Sequence, residues 1–151
     1  MLEIRRMCES DIDAVYAIET ACFHSPWSKA SFEGELKNTL AVYFVLVESE
    51  PEFESEQIVG YGGMWTIIDE LHITNVAVLP SHRGKGYSNR LMEAMIQYGK
   101  DNGYVQMTLE VRVGNQPAIA LYEKFGFVSV GTRPGYYVDT GEDACIMWKE
   151  L

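Results

Sequence analysis

The segment Val76-Ala-Val-Leu-Pro-Ser-His-Arg-Gly-Lys-Gly-Tyr-Ser88 constrains this chain more than any other. A β-favouring run ends at Pro80, and a short loop holding Gly84 and Gly86 opens directly into a helical pattern from Ser88. Glycine permits tight backbone geometry and close ligand approach at such a loop. The first N–H groups of the following helix lack partners within it, and the helix dipole stands behind them. That makes an anion site suited to a pyrophosphate. Arg83, Lys85 and Arg90 add positive charge to an otherwise acidic chain. The segment is not a P-loop, because no GxxxxGK followed by Ser or Thr occurs, and GxGxxG is absent as well. As a bare glycine turn it is equally an ordinary strand-to-helix connection.

Leu2 to Met7 reads as a short strand. Ser10 with Asp13 resembles a capping box that opens a helix carrying Ile12, Val15, Tyr16 and Glu19. Phe23 to Ser28 reads as a loop, and Ser28 caps a second helix with Phe32 and Leu36 at i, i+4. Residues 41–47, 58–68 and 71–79 are three β-favouring runs joined by short turns and expected to be antiparallel; Gly60, Gly62 and Gly63 interrupt the second. The acidic stretch Glu48 to Glu56, with Pro51 inside it, reads as a solvated hairpin loop, or else as a capture site for a basic partner.

After Ser88 the period changes. Leu91, Met92, Met95, Ile96 and Gly99 mark an amphipathic helix, which Asp101-Asn-Gly103 ends. Residues 105–111 alternate as a strand. Asn115 caps the next helix, Pro117 sits in its first turn, Ala118, Leu121, Tyr122 and Phe125 form its buried stripe, and Gly126 suits the left-handed C-terminal position. Strands follow at 127–132 and 143–149. The order β-α-α-β-β-β-α-β-α-β-β predicts a mixed α/β sheet with helices on its faces.

With 151 residues the chain reads as one domain, 1–151, able to fold without a disulfide or metal staple. Twelve basic against 22 acidic residues give a formal net charge of -10. That balance argues against nucleic acid and against anionic lipid as partners. It suits a basic peptide as well as it suits a generic acidic surface. Cys8, Cys22 and Cys145 are odd in number with no CxxC spacing, which fits a reducing compartment. The opening MLEIRRMCESDIDAVY has no apolar signal core, and no window approaches 18 apolar residues, so a cytoplasmic location is expected. His24, His72 and His82 show no metal-ligand spacing. Cys8 and Cys145 fall in expected core strands with no histidine in a shared motif, which argues against a covalent cysteine route.

Arg83-x-x-Gly86-x-Ser88, after Val76-Ala-Val-x-Pro80, resembles the acetyl-CoA motif R/Q-x-x-G-x-G/A of the GCN5-related N-acetyltransferase (GNAT) superfamily. Ser88 departs from the usual Gly or Ala. Asn115 and the helix ending in Ala120-Leu-Tyr-Glu-Lys-Phe-Gly-Phe127 match the companion pattern A-x-x-L-Y-x-x-x-G-F. Ser25-Pro-Trp-Ser28, Leu109-Glu-Val-Arg112, Arg133-x-x-Tyr-Tyr137 and Gly141-Glu-Asp-Ala144 with Met147 are similar to the ribosomal-protein-alanine N-acetyltransferase (RimI-type) branch. The resemblance implies a GNAT fold, a central mixed and mostly antiparallel sheet of about seven strands flanked by about four helices. It also implies an enzyme that moves acetyl from acetyl-CoA to a protein N-terminal amine, the N-terminal alanine of a ribosomal protein above all, by direct attack in a ternary complex.

The same resemblance assigns roles. Glu110, set opposite Leu109 and Val111 by strand alternation, is the base; His72 and Glu70, which match no motif, compete for the role through their place on the strand before the cradle. Alone, Glu110 is an outward-facing strand residue and His72 a satisfied structural histidine. Tyr122 is the acid at the thioester sulfur; alone, it is a buried core tyrosine. Val76, Ala77 and Val78 face the pantetheine and supply the N–H that polarises the carbonyl. Arg83, Gly84, Lys85, Gly86, Tyr87, Ser88 and Asn89 hold the pyrophosphate, and Asn115 both caps its helix and touches the cofactor. Trp27, Tyr136 and Tyr137, with Phe23, wall the peptide groove or simply pack, and Glu142 and Asp143 are placed to read a basic substrate residue. A GNAT enzyme for a small amine or an internal lysine, and a non-catalytic acyl-CoA-binding module, remain open alternatives.

Overall fold

The computed structural model describes residues 1–151 apart from the side chain of Pro51. Strands β1 (Leu2–Arg6), β2 (Ala41–Glu50), β3 (Ser55–Ile67), β4 (Glu70–Val78), β5 (Gln106–Arg112), β6 (Val128–Tyr137) and β7 (Glu142–Glu150) form one seven-stranded sheet. Its order is β1-β2-β3-β4-β5-β7-β6. Helices α1 (Ile12–Cys22), α2 (Lys29–Lys37), α3 (Tyr87–Asp101) and α4 (Gln116–Lys124) flank it. Every pairing is antiparallel except β4 with β5. That one is parallel because α3 carries the chain back between them as a crossover.

Two features of β4 create the site. The β3–β4 register passes from Gly63↔Asn75 to Met64↔Ile73, so Thr74 is an extra residue that bends the strand. The β4–β5 ladder holds only from Glu70↔Gln106 to His72↔Thr108. Beyond it the two strands separate, and a wedge opens between residues 73–78 and 109–112.

Helix α3 buries Leu91, Met92, Met95, Ile96 and Gly99, as its 3.6-residue period requires. Of these, Met92, Met95 and Ile96 join Met64, Leu71, Ile73, Met107 and Leu109 in a core that also takes Tyr122 and Phe127 from the α4 region, while Leu91 packs with Leu46, Val59 and Val78. The opposite face buries Val15, Ile18 and Phe32 of α1 and α2 against Tyr43, Val45 and Tyr61. The glycines of β3 do not interrupt it: a Cβ at Gly62 would lie 2.6 Å from Met95 Sδ, so glycine lets α3 approach the sheet. Among the described residues no helix is long and apolar enough to cross a membrane.

Three expectations are corrected. The cap before α1 does not use Ser10 and Asp13. A 3₁₀ turn at Glu9–Asp11 precedes the helix, and Cys8 N donates to Asp11 Oδ2 at 2.8 Å. Arg5 selects that register by gripping both Asp11 oxygens, at 2.7 and 3.0 Å. The acidic stretch is mostly strand: β2 runs to Glu50 and β3 starts at Ser55, with a turn at residues 51–53. Glu48 there is held by Tyr87 rather than left in solvent. Finally, Cys8 is exposed and Cys145 is half-buried.

Candidate active site

The wedge beyond His72 holds two abutting cavities of about 410 and 910 Å³. The smaller is lined by Val76, Ala77 and Val78 of β4, by Arg83, Gly84, Gly86, Tyr87, Ser88 and Asn89, and by Asn115, Pro117, Ala118, Leu121 and Tyr122. Of the residues expected at the phosphate loop only Lys85 is not among the lining residues; its ammonium lies 5.8 Å from the centre of the Tyr87 ring. Gly84 and Gly86 have φ of 81° and 77°, a conformation that glycine adopts without strain. The first hydrogen bond of α3 runs from Arg90 N to Gly86 O at 3.3 Å. The N–H groups of Tyr87, Ser88 and Asn89 are therefore without partners in the helix. A Cβ at Gly84 would meet nothing within 4 Å, so the loop faces open space.

The larger cavity takes in Trp27, Tyr136 and Tyr137 with Phe23, Glu110 and Arg112, over a floor of Thr74, Asn75 and Glu19. Tyr136 and Tyr137 stand edge to face at 5.0 Å, and the Arg112 guanidinium lies 4.0 Å over Tyr137. Arg112 also grips both oxygens of Asp139, at 2.8 and 3.1 Å, and holds that carboxyl below its ordinary range. Ser25 Oγ donates to Asp139 Oδ2 at 3.4 Å, which joins the loop before α2 to the β6–β7 turn across the cavity. Val76, Asn115, Ala118 and Tyr122 line both cavities.

Glu110 and His72 meet where β4 and β5 separate. Glu110 Oε2 accepts from His72 Nε2 at 2.5 Å, and Arg133 Nη1 lies 3.9 Å from Oε1. The His72 hydrogen bond outweighs burial and holds the Glu110 carboxyl below its usual value. Glu110 lines the larger cavity, and His72 stands behind it against Trp65. Glu70 is not brought to the site, because its carboxylate takes a hydrogen bond from Gln106. Burial pushes the Tyr122 phenol up to about 12. Asn115 caps α4 by accepting from Ala118 N at 3.2 Å and still lines both cavities.

Glu142 lines the larger cavity and Asp143 does not, and both are engaged within the protein. Glu142 accepts from Gly114 N and Asp143 from Gly135 N, each at 2.9 Å. Sequence reasoning missed the buried floor. Glu19, 2% exposed, accepts from Tyr61 and from Trp27 N, the latter at 2.8 Å. The only signal was its place on the buried stripe of α1. Cys22 was also missed, and it lines both cavities. Its thiol donates to Val78 O at 3.3 Å, and burial raises it further from ionisation.

Comparison with known proteins adds the following. Residues 12–127 match the acetyltransferase (GNAT) family. A candidate ribosomal protein bS18-alanine N-acetyltransferase of Bacillus subtilis (strain 168) is 40% identical over 145 residues, covering 96% of this chain and 93% of the relative. The ribosomal protein bS18-alanine N-acetyltransferase of Haemophilus influenzae is 35% identical over 127 residues, covering 84% and 82%. The crystal structure of the Escherichia coli ribosomal-protein-S18-alanine N-acetyltransferase superposes with a TM-score of 0.89 at 30% identity, covering 100% of this chain and 94% of that one.

Proposed function

This chain belongs to the acetyltransferase (GNAT) family, and from that premise we propose that it acetylates the N-terminal α-amine of a protein, with the N-terminal alanine of ribosomal protein bS18 as the acceptor to which its relatives' names point. The observation that carries this reading is the shared wall. A loop of open amides lies on one side of Val76, Asn115 and Tyr122, and an aromatic-walled cavity with a carboxylate–imidazole pair lies on the other. We take residues 1–151 as one catalytic domain working in the cytoplasm.

The smaller cavity fits acetyl-CoA. Its loop offers unpartnered N–H groups to a diphosphate, with Arg83 beside them. The backbone of residues 76–78 is placed to pair with pantetheine amides as an added strand. Bound acetyl-CoA supplies an activated acyl group with a thiol as its leaving group.

The rest is done by the chain. An α-amine has a pKa of about 7.7–8.0, so a modest base serves near neutrality. Glu110 is that base, and His72 orients it and shares the proton taken from nitrogen as the N–C bond forms and the C–S bond breaks. Tyr122 keeps its proton at neutral pH. A phenol near 12 does not fully protonate a thiolate of pKa about 8.5, so Tyr122 acts as a hydrogen-bond donor to the departing sulfur. The backbone N–H groups of β4 polarise the carbonyl. Cys22, protonated and hydrogen-bonded to Val78, takes no covalent part.

The test is a peptide panel followed by free-thiol release. A peptide with a free N-terminal alanine should turn over, and the same peptide with a blocked α-amine should not. Turnover of a polyamine alone rejects the reading in favour of a small-molecule enzyme. Tight acetyl-CoA binding with no turnover on any amine favours a binding module.

A further inference from the structure

Tyr87, the first residue of α3, buries its ring among Leu46, Val59, Val78 and Leu91. Its hydroxyl leaves that core to donate to Glu48 Oε2 on β2. The other oxygen, Oε1, lies 3.4 Å from Nε2 of His82. His82 sits in the turn before the glycines, and its ring stacks on Tyr87 with centroids 6.3 Å apart and planes 28° apart. The Ser81 hydroxyl contacts His82 Nδ1 at 2.8 Å. With that hydroxyl donating, Nε2 carries the ring hydrogen, and its 3.4 Å contact with Glu48 is electrostatic rather than a close hydrogen bond. Lys85, between the two glycines, adds a further attraction toward the same carboxylate.

We infer that Glu48 is a positioning residue for the phosphate-binding loop: one carboxylate ties down both flanks, His82 before the glycines and Tyr87 after them. The inference rests on the reading of that loop as the cofactor site. The segment between the ties, residues 83–86, contains two glycines with positive φ, and among the described residues Arg83 alone of its side chains makes a hydrogen bond, a long one to Cys22 Sγ at 3.6 Å. Tying its ends aims the open amides of residues 87–89 before the ligand arrives, and so lowers the ordering cost of binding. A carboxylate beside an anion site otherwise works against binding. Its presence makes sense if its hold on the loop outweighs its repulsion of phosphate.

The opposing signs make the test sharp. Calorimetric titration of CoA should show Glu48→Ala weakening binding about tenfold, with the loss appearing in KM for acetyl-CoA and not in kcat. Tyr87→Phe, which cuts one tie and leaves the buried ring, should weaken binding severalfold. The double variant should be no worse than Glu48→Ala alone, because the two act through one contact. Unchanged or tighter binding in Glu48→Ala overturns the inference. If Glu48→Ala does not fold, Tyr87→Phe decides: unchanged affinity overturns the inference, and a raised KM at constant kcat supports it. No binding to the wild-type chain is a different failure, that of the cofactor-site reading itself.

Discussion

His72 and Glu110 approach to 2.5 Å at the point where β4 and β5 cease to pair. His72 is the last β4 residue in register with β5, opposite Thr108, and Glu110 is two residues further on, on the same face. The ladder that brings the strands together thus ends on the pair that faces the acceptor cavity. Replacing Glu110 by Gln keeps the shape and removes the base. We expect kcat/KM to fall about 100-fold. The deficit should grow as pH falls and the amine becomes protonated, and a pH-independent ratio to wild type would remove Glu110 from the role.

The same carboxyl predicts an acid limb of stability. Glu110 is lowered by its hydrogen bond from His72, and Asp11 by its hydrogen bonds from Arg5. A group whose folded pKa is depressed stabilises the fold fully above its unfolded value, about 3.9 for Asp and 4.3 for Glu, and the contribution is lost as pH falls through the folded value. Urea midpoints should be level from about pH 7 to pH 5 with respect to these two groups and fall below about pH 4. Arg5→Gln should shrink the acid-side loss, and an unchanged profile would contradict the Asp11 assignment.

Tyr122 is expected to act on kcat without affecting cofactor affinity. Tyr122→Phe should lower kcat about tenfold or more and leave the calorimetric Kd for CoA within about twofold of wild type. Because its phenol is held near 12, no limb of the wild-type profile below pH 10 should belong to it.

Gly86 has φ 77°, and a Cβ there would meet only the Asn89 amide, at 3.7 Å. Gly86→Ala is therefore limited by backbone strain, about 1–2 kcal/mol. Gly86→Glu adds a carboxylate where the loop must receive an anion. Calorimetry should show weakened CoA binding for the first and none for the second, with both variants folded by circular dichroism.

Glu19 joins the sheet to the groove wall, since its two oxygens serve Tyr61 and Trp27 N. Glu19→Ala leaves several buried partners unsatisfied, which costs about 2–4 kcal/mol, or a Tm drop of roughly 5–15 °C. Glu19→Gln retains an acceptor and should cost less than half as much. Calorimetric melts rank the two.

Much of the fold was readable because periodicity and caps report local physics. The α3 stripe, the Ser28 and Asn115 caps and the left-handed Gly126 all follow from residue type at fixed spacing. The cap of α1 is not legible in its own residues, because Arg5, on another element, decides which acid is used. The Glu19 floor and the engagement of Glu142 and Asp143 with backbone N–H groups are invisible for the same reason: each depends on partners on another loop or strand, from 8 to 42 residues away. The bulge at Thr74 and the short β4–β5 ladder, which together open the site, leave no mark in the local pattern of residues.

The most direct test uses one peptide that begins with alanine and carries an internal lysine. After incubation with the protein and acetyl-CoA, fragment mass spectrometry locates the new acetyl group. The account predicts a single acetyl on the α-nitrogen and none on the lysine Nζ; acetylation confined to the lysine, or none under conditions where acetyl-CoA binds, would contradict it.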